Sequence, residues 1–168
     1  MNNKKGFTLI EMLVVIGIIG LLASVVLVGL TSARKAGRDA RRIADMRTIQ
    51  NALELYYNRC GIYPGGATCN PIQGATFNTM VSAITGAGIG VSAIPSDPLG
   101  QGAFVYAYTN TNSVQEYILS AVLEDGSNRA LGDDLDAGFC ADAPTAPRYC
   151  VGVVSNPNSI PSFGGTQQ

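Results

Sequence analysis

Residues 7–30 form an almost uninterrupted apolar stretch, and this stretch constrains the fold more than any other feature of the chain. Its only polar side chains are Thr8, Glu11 and Ser24. As an α-helix it would be about 36 Å long, which is enough to cross the hydrocarbon core of a bilayer. It is too long for the apolar core of an ordinary signal peptide, and small residues mark no clear exit site. The sequence therefore predicts a transmembrane helix over residues 7–30.

Helical periodicity continues beyond this span. Apolar or aromatic side chains recur at steps of three and four residues, at Ile43, Met46, Ile49 or Gln50, Leu53 and Tyr56 or Tyr57. This spacing is typical of an amphipathic helix. No proline interrupts residues 7–63, so we expect one helix of about 50 residues that ends near Gly61. Residues 31–60 would be its amphipathic stalk.

The remaining residues, 61–168, are rich in turn-forming residues and predict a globular head. We expect a short helix over residues 78–85 and three strands over residues 104–108, 117–123 and 149–154. The middle strand should be half-buried. The predicted fold class is α+β, with the long N-terminal transmembrane and amphipathic helix packed against a small antiparallel β-sheet head.

Charge is distributed unevenly along the chain. Residues 31–59 hold seven basic and three acidic side chains, whereas residues 60–168 hold two basic and eight acidic ones. We interpret the basic cluster as a solvated face near lipid headgroups; the alternative is contact with the acidic head of another subunit. Aromatic residues do not interleave these charges, so we expect no nucleic-acid partner. The cluster consists of Arg34, Lys35, Arg38, Arg41, Arg42 and Arg47.

Glu11 stands out because a carboxylate inside an apolar span is costly to bury and usually has a function. The alternative is a carboxylate that reaches the headgroups from the end of the span. Together with the basic leader of residues 1–6, the segment Gly6-Phe7-Thr8-Leu9-Ile10-Glu11 resembles the recognition sequence of the type IV prepilin family. The resemblance implies that a membrane peptidase cleaves between Gly6 and Phe7 and that the new amino group of Phe7 is N-methylated.

Glu11 fits an assembly role in such a family. After cleavage the α-amine of Phe7 would be a positive charge, which Glu11 of a neighbouring subunit could neutralise. One partner left alone in a low-dielectric core would cost about 3–5 kcal/mol, so the pair could fix the axial stagger of subunits. We therefore expect a homopolymer built through the N-terminal helices.

A second resemblance involves residues 94–100, which read Ile-Pro-Ser-Asp-Pro-Leu-Gly. They are similar to the Pro-x-Asp-Pro-x-Gly segment of major pseudopilins, the main subunits of the type II secretion pseudopilus. That family implies a calcium site in a later acidic loop, matched here by Asp125, Asp133, Asp134 and Asp136. Calcium prefers six to eight oxygen ligands, which this loop can supply. The alternative is a solvated acidic loop without metal.

The four cysteines form two close pairs, Cys60 with Cys69 and Cys140 with Cys150. We expect a disulfide within each pair, although four cysteines allow three connectivities. Zinc is the competing interpretation, but the spacings are long and histidine is absent. The second pair resembles the C-terminal disulfide loop of type IV pilins. Disulfides also favour a head outside the cytoplasm.

Two arguments about topology disagree. More basic residues follow the span (Arg34, Lys35, Arg38) than precede it (Lys4, Lys5), which by the positive-inside rule would place the C-terminus in the cytoplasm. The prepilin resemblance implies the opposite: a single-pass protein of the cytoplasmic membrane with its head outside, and later a periplasmic or cell-surface filament.

The function expected from the sequence is structural. Histidine, a P-loop and a nucleophile elbow are all absent, so we do not expect an enzyme. The resemblance implies a subunit that polymerises into a filament of the type IV pilus class for adhesion, motility or DNA uptake. The alternative is the major pseudopilin of a type II secretion system, which drives protein export. The implied partners are the membrane, a prepilin peptidase, and an assembly ATPase with its platform protein.

Overall fold

The computed structural model describes residues 6–66, 68–72, 74–110, 114–132, 135 and 147–154, and of residues 26–28 it describes the backbone alone. The chain divides into two compact units, Met1–Gly37 and Arg38–Gln168. The regular elements are α1 (Leu9–Cys60), α2 (Phe77–Gly86), β1 (Ala107–Asn110), β2 (Tyr117–Val122), a short 3-10 helix (Arg129–Gly132) and β3 (Arg148–Val153).

The long helix predicted from the sequence is confirmed as α1. It ends at Cys60 because Gly61 adopts a left-handed conformation, with φ of 71°. The Gly61 N–H donates to the carbonyl of Tyr57 at 2.7 Å, which satisfies one of the open carbonyl groups of the last turn. Among the described residues, α1 is the one helix that is long and apolar enough to cross a membrane.

In the second unit, one face of α1 forms the centre of the core. Met46, Ile49, Leu53 and Tyr56 are all fully buried, which confirms the predicted apolar stripe. Side chains from α2 complete this part of the core, among them Ile84. The second helix matches the prediction for residues 78–85 and begins with a capping box, in which Thr76 and Thr79 exchange hydrogen bonds.

The sheet is antiparallel and has the order β1-β2-β3, which confirms the α+β class. The expectation that the middle strand is half-buried was wrong, because all six residues of β2 are buried. Tyr117 and Leu119 belong to the main core, whereas Ile118 belongs to a second cluster with Cys150, Leu135 and Val154. Both faces of β2 are therefore covered.

The first strand begins three residues later than predicted. Phe104 and Val105 are held in a tight turn, where their N–H groups donate to the carbonyls of Gln101 and Ala103 at 3.1 and 3.0 Å. Gly102 permits this turn with φ of 61°. These local hydrogen bonds occupy the N–H groups of Phe104 and Val105, which a β-strand would instead donate to the neighbouring strand.

Candidate functional site

The predicted cleavage position lies just ahead of α1. Phe7 is 81% exposed, and a Cβ placed on Gly6 would meet no described atom within 4 Å apart from its chain neighbours. The bond between these two residues is therefore accessible in the described chain. The leader residues 1–5 lie outside the described residues, so cleavage itself stays a prediction.

Thr8 and Glu11 form a capping box at the start of α1. Oε2 of Glu11 accepts hydrogen bonds from the backbone N–H and the hydroxyl of Thr8, both at 2.8 Å. The N–H of Glu11 donates to the Thr8 hydroxyl oxygen at 3.3 Å. The box satisfies donors that a helix N-terminus leaves open. Our sequence interpretation gave Glu11 a role between subunits and missed this one within the chain, although the Thr-x-x-Glu spacing signals it.

The first unit exposes a large amount of apolar surface. Its described large apolar side chains between Leu9 and Leu30 are each 41–83% exposed. Because apolar surface in water is unfavourable by about 25 cal/mol per Å², this part of α1 needs lipid or other helices around it. The arrangement fits a segment that spans a membrane or packs into a helical assembly.

In the second unit, α1 carries a buried arginine. Arg42 is fully buried, and its Nε and Nη2 donate to the two carboxylate oxygens of Asp97 at 2.7 and 3.2 Å. Its Nη1 donates to Asp39 at 2.7 Å, and its guanidinium lies 4.9 Å from the centre of the Phe104 ring. Such a buried cation is tolerated because charged partners occupy its donors.

Glu124 extends this cluster towards the surface. Its two oxygens accept from Nε and Nη2 of Arg38, both at 2.6 Å, and Oε1 also accepts from Arg42 at 2.9 Å. The Asp39 carboxylate accepts the backbone N–H groups of Glu124 and Asp125 at 2.9–3.1 Å. We refer to Arg38, Asp39, Arg42, Asp97 and Glu124 as the Arg42 network.

The Arg42 network explains why the Asp-Pro segment contains an aspartate. Oδ1 of Asp97 accepts the backbone N–H groups of Leu99 at 2.8 Å and Gly100 at 3.4 Å, while the same carboxylate binds Arg42. Gly100 has φ of 59°, which suits glycine. Asp97 thus shapes its own turn and attaches that turn to α1.

The network holds Glu124, Asp97 and Arg42 in their charged forms. Hydrogen bonds from Arg38 lower the pKa of Glu124 to about 2, against the opposing effect of burial. Burial by itself would raise the pKa of Asp97, but hydrogen bonds from Arg42 and from the Leu99 N–H outweigh burial and lower it. Burial likewise disfavours the charge on Arg42, but its carboxylate partners raise its pKa. All three side chains are therefore ionised at neutral pH.

Our interpretation of the basic cluster as a solvated face was wrong for Arg38 and Arg42. Both pair with carboxylates of the same chain, and Arg42 is buried. The sequence contains a signal for this, because Arg42 precedes Met46 by four residues and so lies on the buried stripe. Arg41 and Arg47 are exposed, as expected.

Of the four predicted calcium ligands, the structure describes Asp125 alone. Its Oδ1 accepts from the backbone N–H of Ser127 at 2.9 Å and from the Ser127 hydroxyl at 2.6 Å. Asp133, Asp134 and Asp136 lie outside the described residues. In the part of the chain that is described, no group of three or more Cys, Asp or Glu side chains is placed to hold a metal. The calcium site stays a prediction.

One predicted disulfide is confirmed. Cys60, the last residue of α1, is bonded to Cys69, and their Cα atoms are 5.0 Å apart. The Cys69 N–H also donates to the Tyr56 hydroxyl at 2.7 Å, which fastens this loop to the helix. Cys150 is disulfide-bonded as well, and its predicted partner Cys140 lies outside the described residues.

Comparison with known families gives a match at the N-terminus. Residues 1–27 match the family described as "Prokaryotic N-terminal methylation motif". The matched region contains the predicted cleavage position, the capping box and most of the apolar span.

Relatives of the chain include a type II secretion system protein and proteins of pili or fimbriae. The chain is 28% identical to the type II secretion system core protein G of Escherichia coli K12 over 130 residues, which are 74% of this chain and 85% of the relative. It is 45% identical to the type IV wide pilus major component PilA4 of Thermus thermophilus over 56 residues, 33% of this chain and 43% of the relative. It is 26% identical to a fimbrial protein of Neisseria meningitidis serogroup B over 147 residues, 83% and 86% of the two chains. The chain thus aligns with less than half of the Thermus relative. No solved structure matches the chain.

Proposed function

We propose that this chain, which carries a prepilin leader and has both type IV pilins and type II secretion core proteins among its relatives, is a structural subunit of a type IV pilus-class filament. One observation carries the proposal: a leader-type N-terminus continues directly into a helix whose apolar side chains are exposed. In a subunit that has not assembled, such a helix is stable in lipid. It can exchange lipid for neighbouring helices on assembly.

Processing would start at the accessible bond between Gly6 and Phe7. A prepilin peptidase cleaves there, and the new amine of Phe7 is methylated. This amine is then available to Glu11 of a neighbouring subunit. In support, the capping box engages Oε2 of Glu11, and no described residue donates to Oε1. One oxygen of the carboxylate is thus open to a second partner.

The head would act as a rigid folded body and not as a catalyst. Three carboxylates converge in it, at Asp39, Asp97 and Glu124, but arginines neutralise them. Carboxylates with fixed arginine partners are poorly suited to general acid–base chemistry, and the pKa values of Asp97 and Glu124 are lowered as well. Their evident use is to attach two head loops to α1.

The head would lie outside the cytoplasm, where an assembly ATPase and a platform protein on the other side could drive growth of the filament. The disulfide between Cys60 and Cys69 supports this orientation, because disulfides persist in oxidising compartments. A type II secretion pseudopilus is the second candidate function. The Asp97 turn, which lies within the pseudopilin-like segment, favours it.

The location of the filaments tests the proposal and distinguishes a pilus from a secretion pseudopilus. Cells that produce the chain are sheared, and the sheared fraction and the membranes are probed with an antibody against the head and by negative-stain microscopy. Filaments in the sheared fraction support a pilus. Short filaments confined to the cell envelope support a pseudopilus. A chain that forms no filament in either fraction, even when overproduced, would overturn the proposal.

A further inference from the structure

In the second unit, α1 has an outward face that the described part of its own head does not cover. Ala44, Arg47, Asn51 and Leu55 are exposed and follow one another at steps of three and four residues, so they share one side of the helix. Leu55 is 49% exposed, although most large apolar side chains of α1 in this unit are buried. An exposed leucine among polar groups can anchor a partner.

The charge on the outward face is positive and unbalanced. Arg47 forms no ion pair or hydrogen bond with any described residue. Arg41 is 63% exposed and lies 3.7 Å from Asp45, which is a long contact for an ion pair. The one exposed carboxylate on this part of the helix is Glu54, which already accepts a hydrogen bond from a tyrosine hydroxyl at 2.9 Å. The face can therefore accept carboxylates from outside.

A suitable carboxylate lies elsewhere on the same unit. Asp125 is exposed, and its backbone N–H donates to Asp39 at 3.0 Å, on the buried side of α1. Its side chain is oriented by Ser127, which donates twice to Oδ1. Among the described residues, Oδ2 of Asp125 has no hydrogen-bond donor. This carboxylate is thus held in place, with one oxygen available.

The two patches cannot meet within one chain, because Asp125 lies on the head side of α1 and Arg47 on the outward side. Contact between different patches of identical subunits is heterologous, and a heterologous contact that does not close into a ring produces an open filament. We infer that the outward face around Arg47 binds the Asp125 loop of a second copy of this chain, and that the same contact covers Leu55. This inference rests on the proposed filament function.

Charge-reversal variants of the full-length chain test the contact. They are produced in cells that lack the wild-type chain. Arg47→Glu and Asp125→Lys each place like charges together at every interface of the filament. We expect each to lower the filament yield at least about tenfold, since even 1.4 kcal/mol per contact changes an equilibrium constant by that factor. The double variant R47E/D125K restores opposite charges and should recover at least half of the wild-type yield.

Two milder variants separate the contact from loss of folding. Arg47→Lys keeps the charge and should assemble normally. Asp125→Asn keeps an oxygen for the Ser127 hydrogen bonds but removes the charge, so it should lower the yield with an unchanged melting temperature. Normal filaments from R47E, or failure of the double variant to recover, would overturn the inference while wild-type filaments still support the proposed function. A wild-type chain that forms no filament would instead count against the proposed function itself.

Discussion

Arg42 and Asp97 are 55 residues apart in the chain, yet they form a fully buried ion pair with two hydrogen bonds, of 2.7 and 3.2 Å. The pair joins the helix to the turn before β1. Through Glu124, the same arginine also holds the loop after β2. One side chain on α1 thus fixes two loops of the head.

Removal of Arg42 should destabilise the head strongly. Arg42→Met would leave Asp39 and Asp97 as buried charges without their main partner, and we expect a loss of about 3–5 kcal/mol in the free energy of unfolding. The measurement is urea unfolding of the detergent-solubilised full-length chain, followed by tyrosine fluorescence. Arg47→Met is the matched control and should change stability by less than about 0.5 kcal/mol. Equal stability of the two variants would contradict the assigned role of the network.

The network should also make the head sensitive to acid. The pKa of Glu124 is about 2 in the folded chain, below the value of about 4.3 for an unperturbed glutamate. The pairing therefore stabilises the fold fully above about pH 4.3, and this contribution is lost as the pH falls towards 2. The lowered pKa of Asp97 acts in the same direction.

Melting temperatures measured from pH 7 to pH 2 test this prediction. The wild type should lose stability steadily below about pH 4.3. Glu124→Gln cannot ionise, so it should melt lower than the wild type at pH 7 but show a shallower decline in acid. Parallel curves for the two proteins would mean that Glu124 does not contribute to the acid sensitivity.

Gly152 should tolerate no side chain. A Cβ at this position of β3 would overlap the carbonyl oxygen of Tyr117 on the neighbouring strand, and backbone cannot move aside as a flexible side chain can. We expect Gly152→Ala to cost about 2 kcal/mol or more, as other overpacked sites do. Gly132→Ala is the control, since no described atom outside its chain neighbours lies within 4 Å of its Cβ position. A Gly152→Ala protein as stable as this control would contradict the described register of β2 and β3.

Two substitutions separate the roles of Glu11. Glu11→Ala removes both the capping box and the charge, and we expect it to enter the membrane and be cleaved but not to assemble. Glu11→Gln can still cap the helix, because glutamine also serves at this position of a capping box. If the charge pairs with a neighbour's amine, the glutamine variant should fail in assembly as completely as the alanine variant. Normal filaments from Glu11→Gln would show that capping alone suffices. Filament yield in sheared and membrane fractions is the measurement.

The sequence predicted most of the regular structure because the signals were local. The step of three and four residues from Met46 to Tyr56 located the buried face of α1, and Gly61 marked its end. The strand predictions worked where apolar and β-branched residues run together, as in β2. They failed at Phe104, because its N–H group donates to a carbonyl within the turn around Gly102 and not to a neighbouring strand.

The Arg42 network could not be predicted in full because its members are far apart in the chain. Asp39 and Arg42 are three residues apart on one helix face, which the sequence shows. Their partners Asp97 and Glu124 reach them only through the fold of the head. A charged residue is also normally expected at the surface, so the basic cluster was interpreted as solvated.

The intact mass of the protein, taken from sheared filaments and from washed membranes, tests whether the chain is processed as a filament subunit. We expect a chain that starts at Phe7, with one added methyl group and the loss of four hydrogens for two disulfides. An uncleaved chain that begins at Met1 or Asn2, in cells with an active prepilin peptidase, would contradict it.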